Sequence, residues 1–271
     1  MLQVSDSGKL VCVLVPLHIV FRLVFQTIAQ KLIKGKNPKK TSESMFFCVQ
    51  YCILSVLGTK LLQQENTWWF HYTDLYREAN VDSFTPLHAF YMMGELSVYI
   101  SAFIFMFFET RKSYADFYMN IIHHVITISI IWSTYSAGYY NYCVIVAQMH
   151  DISDIFLEFS KTVHALGFAQ TSKVTFAVFA VTFIVPRVFV LPTYCIIPFW
   201  NGFMNKTLTE MFPGVDLLEL FSRKDRLVIA GGLSVIYVLN CIWAVAILKM
   251  AIGMFKKKEW IDIREKTKNS E

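Results

Sequence analysis

The sequence has little charge for its length. Asp, Glu, Lys and Arg make up 17% of its 271 residues, whereas hydrophobic residues make up 55% and the mean hydropathy is +0.45. A soluble domain of this size needs a polar coat over its core, and this composition cannot supply one. The basic residues also lack the interleaved arrangement of a nucleic-acid surface, because they stand in blocks beside apolar runs. The composition therefore excludes a soluble domain and predicts no nucleic-acid partner.

The sequence also lacks a disulfide framework and a convincing cleavable signal. Nearly all of its six cysteines fall inside apolar runs, and Cys48 and Cys52, one helical turn apart, are too few for a structural zinc site. No internal repeat or low-complexity segment is evident. The first apolar run is long and contains Arg22, which indicates a retained membrane span rather than a signal peptide.

Long apolar runs are abundant instead. They lie near residues 10–32, 45–63, 86–108, 115–135, 140–163, 172–198 and 227–254. A run longer than about 18 residues can satisfy its own backbone in lipid only as a helix. The sequence thus predicts an all-α integral membrane protein with seven transmembrane helices. The fifth run carries so many charges that hydropathy alone can miss it, and an even number of spans stays open.

The distribution of Lys and Arg predicts the orientation of the chain. The first connection carries Lys31, Lys34, Lys36, Lys39 and Lys40, and a second basic block opens at Lys256. Because basic residues collect on the cytosolic side, we expect a lumenal N-terminus and a cytosolic C-terminus. This topology places the glycosylation sequon at Asn205 in a lumenal connection.

Three neighbouring spans each carry a polar stripe. Each residue of a helix advances by about 100°, which places the polar residues of each span on one face. The stripe of the third span is His88, Tyr91, Glu95 and Tyr99, and that of the fourth is Asp116, Asn120, His123 and Thr127, with His124 at its edge. The stripe of the fifth is His150, Asp154 and Lys161, flanked by Asp151 and Glu158. Ionisable groups at membrane depth are costly and normally face a bundle interior. We expect the three stripes to face one another around a cavity.

These groups allow more than one use. Interhelical hydrogen bonding is the simpler role for Tyr91, Tyr99, Asn120 and Thr127 taken singly. A pair of histidines opposite a His-Asp pair instead indicates acid–base or nucleophilic work, such as acyl transfer. One zinc ion held by His123, His150 and a carboxylate stays open, although nothing in the pattern requires it.

The order of these residues resembles a known motif. His123-His124 with Thr127, then His150-Asp151-Ile152-Ser153-Asp154 and Leu157-Glu158 with Lys161, is similar to the Lag1 motif of ceramide synthases, which belong to the TLC-domain family. The similarity continues in residues 111–117, in Tyr91 with Glu95-Leu96, and in residues 187–192, and covers about residues 65–255. One departure is residues 138–143, where the family often carries Asn-x-x-Arg-x-Gly.

The resemblance implies a multi-pass enzyme of the endoplasmic reticulum that joins a fatty acyl-CoA to the amine of a sphingoid base, giving ceramide or dihydroceramide. We assign no residue to a metal and expect no cofactor beyond acyl-CoA as co-substrate, while the presence of a metal stays open. It also implies six helices closed into a TLC-type barrel around a buried polar site. Residues 1–44 then form a preceding helix and basic cytosolic loop, residues 45–255 the catalytic domain, and residues 256–271 a cytosolic tail.

Residue roles follow from the same resemblance. The expected catalytic residues are His123, His124, Asp151 and Asp154. His123 is the expected reacting imidazole, as general base or transient acyl-imidazole, with an aspartate orienting it and His124 assisting the amine or the oxyanion. The expected substrate-binding residues are His150, Glu95, Tyr91, Asn120, Glu158, Lys161 and Arg187. The last two are candidates for the CoA phosphates, and for both the alternative of a snorkelling charge at the end of a span stays open.

Two other classes of function stay open. A TLC-domain protein can bind, sense or move lipid without catalysis, although the full set of histidines and aspartates argues against it. A seven-helix receptor or transporter is disfavoured, since receptor-type motifs and repeat symmetry are lacking. The acyl length, the sphingoid base and the oligomeric state, a homo- or heterodimer included, also stay open.

Overall fold

A computed structural model describes residues 4–33, 37–64, 85–108, 116–201 and 224–257, and within these ranges it contains helices and no strand. The seven helices are α1 (Val4–Leu32), α2 (Pro38–Gln64), α3 (Pro86–Met106), α4 (Phe117–Ser136), α5 (Tyr140–Ala165), α6 (Ala169–Ile184) and α7 (Lys224–Lys257). The prediction of an all-helical protein is confirmed. The Asn205 sequon, residues 111–115 and the tail after residue 257 lie outside the described residues.

Within the described ranges, five helices are long and apolar enough to cross a membrane: Gly8–Leu32, Pro38–Gln64, Pro86–Met106, Ala169–Asn201 and Arg226–Met254. The prediction of a multi-pass membrane protein is therefore confirmed. Helices α4 and α5 do not qualify by composition, and in α5 the charged residues that form the polar stripe explain this. Spans at α4 and α5 stay a prediction.

The helices contact one another in a fixed order. Helix α5 packs against α2 and α6, α7 packs against α6 and α4, and α3 packs against α4 and α2. The sequence of contacts α2–α5–α6–α7–α4–α3 thus returns to α2. Helix α1 lies against α2 and α3, and its other side exposes aliphatic residues such as Val13 and Leu17. Such an apolar outer surface suits lipid rather than water.

Two polar side chains of α1 fix it to its neighbours. The His18 ring contacts Ser101 Oγ on α3 through Nδ1 at 2.9 Å and Gln50 Oε1 on α2 through Nε2 at 3.0 Å. Because an amide oxygen only accepts, Nε2–H donates to Gln50 and Nδ1 accepts from Ser101. Arg22 is fully buried, with its guanidinium 4.2 Å from the Phe105 ring centroid and 4.7 Å from that of Phe47. These contacts keep both polar groups away from lipid.

Helix α3 begins at a capping box. Thr85 precedes Pro86, its hydroxyl accepts from the backbone N–H of His88, and the His88 ring nitrogen Nδ1 accepts from the backbone N–H of Thr85. Proline suits the first helical position because its missing N–H has no partner there in any case. His88, which the sequence places on the polar stripe, therefore caps a helix.

Two glycines make the turns on either side of α5. Gly138 and Gly167 have φ of 78° and 93°, the left-handed region that glycine adopts without steric cost. In each turn the following residue closes a Schellman motif, with Tyr139 N–H donating to Thr134 O and Phe168 N–H to Val163 O, both at 2.9 Å. Helices α4, α5 and α6 are thereby joined as tight hairpins.

Helix α6 continues into a π-helical segment, Val185–Ile196, and ends at Asn201. Pro186 and Pro192 lie in this segment and have no N–H to give to an α-helical ladder. The backbone N–H of Ile197 donates to Pro192 O, five residues back, which is the π-helical spacing. The segment carries Arg187 toward α5.

Candidate functional site

A cavity of about 160 Å³ lies among helices α2 to α7. Besides two tyrosines, its polar lining consists of Asp116, Asn120, His123, His124, Asp154, Glu158, Lys161 and Arg187. Its apolar lining comes largely from phenylalanines of α6 and from Trp243 to Met250 of α7. The structure therefore brings seven of the predicted site residues together, all of this polar set except Asp116.

A smaller cavity of about 40 Å³ lies deeper along α4 and α5. Its lining is mainly apolar and includes Ile130, Val146, Ala147, Leu233 and Ile236. Two histidines, His123 and His150, also line it. Tyr99 and His123 line both cavities, and they are the residues that the two linings share. The polar and the apolar chamber therefore meet at His123.

The His123 ring is held by aromatic edges. Its centroid lies 5.5 Å from that of Trp243, 5.6 Å from that of His124 and 6.2 Å from that of Tyr99, each in a T-shaped arrangement. Nδ1 of His123 is buried and makes no hydrogen bond within the described part of the chain. No hydrogen bond joins the ring to Asp151 or Asp154 there. Packing, rather than a carboxylate, thus orients this imidazole.

His124 is oriented differently, by its own helix. Its Nδ1–H donates to the backbone carbonyl of Asn120 at 2.8 Å. In the neutral ring this bond places the proton on Nδ1 and leaves Nε2 as the nitrogen with the lone pair. His124 lines the larger cavity, so it can accept a proton there.

His150 has both ring nitrogens engaged. Nδ1–H donates to Val146 O at 2.7 Å, and Nε2 accepts from the Asn240 amide at 3.5 Å. His150 and Asn240 are buried, and this contact joins α5 to α7. The predicted binding residue His150 thus lies at the wall of the smaller cavity, where its hydrogen bonds connect two helices.

Asp154 pairs with Arg187 at the wall of the larger cavity. Nη2 of Arg187 lies 2.7 Å from Asp154 Oδ1 and 2.7 Å from the backbone carbonyl of His150, and it also donates to Ser153 Oγ. The Asp154 side chain is 22% exposed, whereas that of Arg187 is 5% exposed. The carboxylate is therefore more open to the cavity than the guanidinium, whose Nη2 is held by α5.

A second ion pair lies one turn farther along α5. Lys161 Nζ donates to Glu158 Oε1 at 2.8 Å, and both residues line the larger cavity. Glu158 is buried, and the Lys161 side chain is 14% exposed. The cavity therefore has a cationic group near the end of the bundle where α3 ends and α4 begins.

The other predicted residues, Asp151, Glu95 and Tyr91, lie in the interface of α3 with α5 and line neither cavity. All three are buried, and the carboxyl groups of Glu95 and Asp151 are close enough to interact electrostatically. Tyr91 Oη accepts from Gln148 Nε2 at 3.3 Å. Within the described residues, Glu95 makes no side-chain hydrogen bond by strict geometry. The structure thus separates the two predicted catalytic aspartates, with Asp154 at the cavity and Asp151 behind it.

Sequence reasoning missed two residues of α7. Trp243 contacts the His123 ring, and Asn240 donates to His150. A signal was available, because Asn240 is a polar residue in the middle of an apolar run and Trp243, Ile247 and Met250 follow it on one helical face. The described residues contain no group of three or more His, Cys, Asp or Glu placed to hold a metal ion.

Comparison with known proteins shows which family the chain belongs to. Residues 40–249 match the family model described as the TLC domain. The chain belongs to the TLC-domain family. The match covers nearly all of α2 and continues into α7, whose last turns lie beyond it. It does not include α1. Residues 40–249 contain every residue of the predicted site and all residues that line the two cavities except Met250.

Several of the similar proteins are named ceramide synthases. The chain is 26% identical over 226 residues to ceramide synthase 3 of Homo sapiens, covering 83% of this chain and 55% of that protein. It is 28% identical over 261 residues to ASC1-like protein 1 of Oryza sativa subsp. japonica, covering 87% and 79%, and 28% identical over 192 residues to ceramide synthase 1 LOH3 of Arabidopsis thaliana, covering 63% and 61%. The chain spans about half the length of the human relative.

Proposed function

We propose that this TLC-domain protein is a sphingoid-base N-acyltransferase, a ceramide synthase that joins a fatty acyl-CoA to a long-chain amine. The observation that carries the proposal is the place of His123, at the junction of a polar and an apolar cavity. An acyl-CoA has a polar and an apolar part that meet at the thioester, so its two parts match the two chambers. The relatives named ceramide synthases support the same chemistry.

The membrane arrangement follows from the contacts of the helices. We propose that α4 and α5 also cross the membrane and that α2 to α7 close into a six-helix barrel, since their contacts return to the first helix. The polar stripes of α4 and α5 face the cavity rather than lipid, which removes the main cost of such spans. The larger cavity then opens at the side with the basic residues, the cytosolic face of the endoplasmic reticulum.

Each substrate has a place in this arrangement. The acyl chain enters between Val146 and Ile236, where the smaller cavity of about 40 Å³ holds the methylenes next to the thioester and the apolar side chains around it must move apart to hold the rest. The CoA headgroup stays at the wider end near Lys161. The sphingoid base brings its ammonium group to the larger cavity, where the Asp154 carboxylate faces it. The thioester carbonyl then lies beside His123, with the lone pair of His124 Nε2 in the same cavity.

The reaction balances with these groups. The amine nitrogen forms a bond to the thioester carbonyl carbon, and the carbon–sulfur bond breaks. Of the two protons that the ammonium group loses, one goes to the CoA thiolate and one is released to solvent. His123 serves either as the base that removes a proton or as the nucleophile that carries the acyl group first. Excluding water from the chamber protects the thioester from hydrolysis.

The test is an amide-forming assay on purified protein in lipid nanodiscs. Wild-type protein is expected to convert palmitoyl-CoA and dihydrosphingosine to dihydroceramide, and His123→Ala to lose at least about 100-fold in kcat. His164→Ala is the matched control, because His164 lies in the last turn of α5 and lines neither cavity. Binding of palmitoyl-CoA without product would contradict the proposal and favour a lipid-binding protein.

The same preparation distinguishes the two roles of His123. Wild-type protein is mixed with palmitoyl-CoA without any amine, and its intact mass is measured. A gain of one palmitoyl group that His123→Ala does not show identifies a nucleophile, whereas an unchanged mass with retained turnover identifies a general base.

A further inference from the structure

Arg187 is the most deeply buried cation at the larger cavity, and its contacts do not suit the capture of a phosphate. Its side chain is 5% exposed, and its guanidinium lies 4.4 Å from the Phe183 ring centroid. A phosphate ligand needs donors that point into open space, as a forked guanidinium offers at a surface. Here Nη2 already points at three acceptors of α5, and Nε is buried without a hydrogen bond within the described residues, so neither nitrogen is open to a phosphate.

Those acceptors are the carbonyl of His150, the hydroxyl of Ser153 and the carboxylate of Asp154. The Ser153 hydroxyl also donates to the His150 carbonyl at 2.9 Å, so the acceptors form one connected network. Asn240 of α7 reaches the ring of the same His150. The π-helical segment, α5 and α7 are thereby joined at one level of the bundle.

Only Asp154 among these groups presents a charge to the cavity. A carboxylate in a dry chamber needs a fixed cation to offset its charge and fix its orientation. Arg187 supplies both, because the bond to Asp154 Oδ1 comes from a nitrogen that the backbone of α5 also holds. The π-helical segment matters here because it carries Arg187 to this level.

We infer that Arg187 is a positioning residue that acts through Asp154, rather than a ligand of the CoA phosphates. This inference rests on the proposed acyltransferase function. Lysine separates the two roles, because its ammonium group still binds phosphate as a point charge, whereas its flexible stem does not hold a donor where the rigid guanidinium plane of arginine holds Nη2. The decisive variant is therefore Arg187→Lys, assayed with palmitoyl-CoA and with palmitoyl-pantetheine, which lacks the nucleotide and its phosphates.

For Arg187→Lys we expect kcat to fall about 100-fold, as a misplaced catalytic group would cause, with KM for palmitoyl-CoA unchanged. The same fall is expected with palmitoyl-pantetheine. Near-normal kcat in Arg187→Lys, or a loss confined to palmitoyl-CoA and expressed in KM, would overturn the inference. Arg226→Lys is the matched control, since Arg226 lies over the Tyr139 ring and lines neither cavity.

A double-mutant cycle keeps the test decisive if Arg187→Lys is unstable. Arg187→Gln, Asp154→Asn and the double variant are compared in kcat and in thermal unfolding, and the double variant leaves no unpaired buried charge. If Arg187 acts through Asp154, Arg187→Gln costs little more kcat once Asp154→Asn is present. A double variant whose loss of kcat equals the product of the two single losses would contradict this. The unfolding measurements do not depend on enzyme activity, so the two proposals fail separately. An inactive wild-type protein would refute the proposed function. Stability losses of the two single variants that add up in the double variant would refute the coupling of Arg187 to Asp154.

Discussion

Gly58 on α2 and Gln148 on α5 approach so closely that a Cβ on Gly58 would lie 2.0 Å from Gln148 Nε2. The amide is held in place by its bonds to Leu54 O and Tyr91 Oη, each at 3.3 Å. Side-chain volume at residue 58 therefore controls how closely α2 can approach α5. This interface lies behind the cavity and supports the helix that carries Asp154.

Gly58→Ala is expected to destabilise the protein by about 1–3 kcal/mol, the usual cost of overpacking a well-packed interface. The physical reason is that α2 and α5 must separate or the Gln148 amide must give up its bonds. Thermal unfolding in one fixed detergent measures the change. Gly94→Ala is the control and should be neutral or stabilising, because a Cβ there meets nothing within 4 Å. If the clash is the cause, Gln148→Ala should restore stability to Gly58→Ala.

His18→Leu should cost about 1–3 kcal/mol, since it leaves Gln50 buried without its partner. Replacing all three partners together, as His18→Leu with Gln50→Leu and Ser101→Ala, should cost less than the single change, because no polar group is then left unsatisfied. Thermal unfolding of the two variants decides. A triple variant less stable than His18→Leu would show that the hydrogen bonds are not the source of the effect.

The length of acyl chain accepted should follow the volume of the smaller cavity. Ala147→Phe fills that cavity and should shift the product profile toward shorter chains, whereas Ile236→Ala enlarges it and should favour longer ones. One methylene in an apolar pocket changes selectivity by about 10-fold or more. Competition among acyl-CoAs of different length, read by mass spectrometry, measures the shift. Ile229→Ala, buried but outside both linings, is the control, and an equal shift in that variant would remove the cavity from the explanation.

Lys161 should matter for the headgroup of acyl-CoA. The neutral pair Glu158→Gln with Lys161→Gln avoids leaving the buried Glu158 charged and alone. We expect KM for palmitoyl-CoA to rise about 10-fold, as the loss of a charged contact of about 1.4 kcal/mol would give. KM for palmitoyl-pantetheine should stay the same. A rise with both thioesters would instead assign Lys161 to the structure of the cavity.

The sequence predicts the helices well because apolar length and period decide them. The predicted runs 86–108 and 140–163 correspond to α3 and α5, and the polar stripes of α4 and α5 do face a cavity. The start of α2 was harder to place, since it begins at Pro38, before the apolar run and before the expected domain boundary at residues 44–45. A helix can begin before the apolar residues that cross the membrane, so the start of the apolar run does not fix the start of the helix.

The sequence could not separate Asp151 from Asp154 in function. The period of a helix places both near one face, and only the neighbouring helices decide which carboxylate reaches the cavity. The same holds for Arg187, which composition marks as a charge in an apolar run but whose direction depends on the π-helical segment. The contact of Trp243 with His123 joins residues on distant helices, and no local pattern in one sequence specifies such a pairing.

The π-helical segment also sets the phase of everything that follows it. In an α-helix a row of every fourth residue drifts by about 40° per step, so Arg187 and Phe199, three such steps apart, would point in clearly different directions. Both are buried, and so are Leu191 and Cys195 between them. The wider turn cancels the drift, and a one-residue deletion inside the segment would therefore rotate its far end about the helix axis rather than merely shorten it.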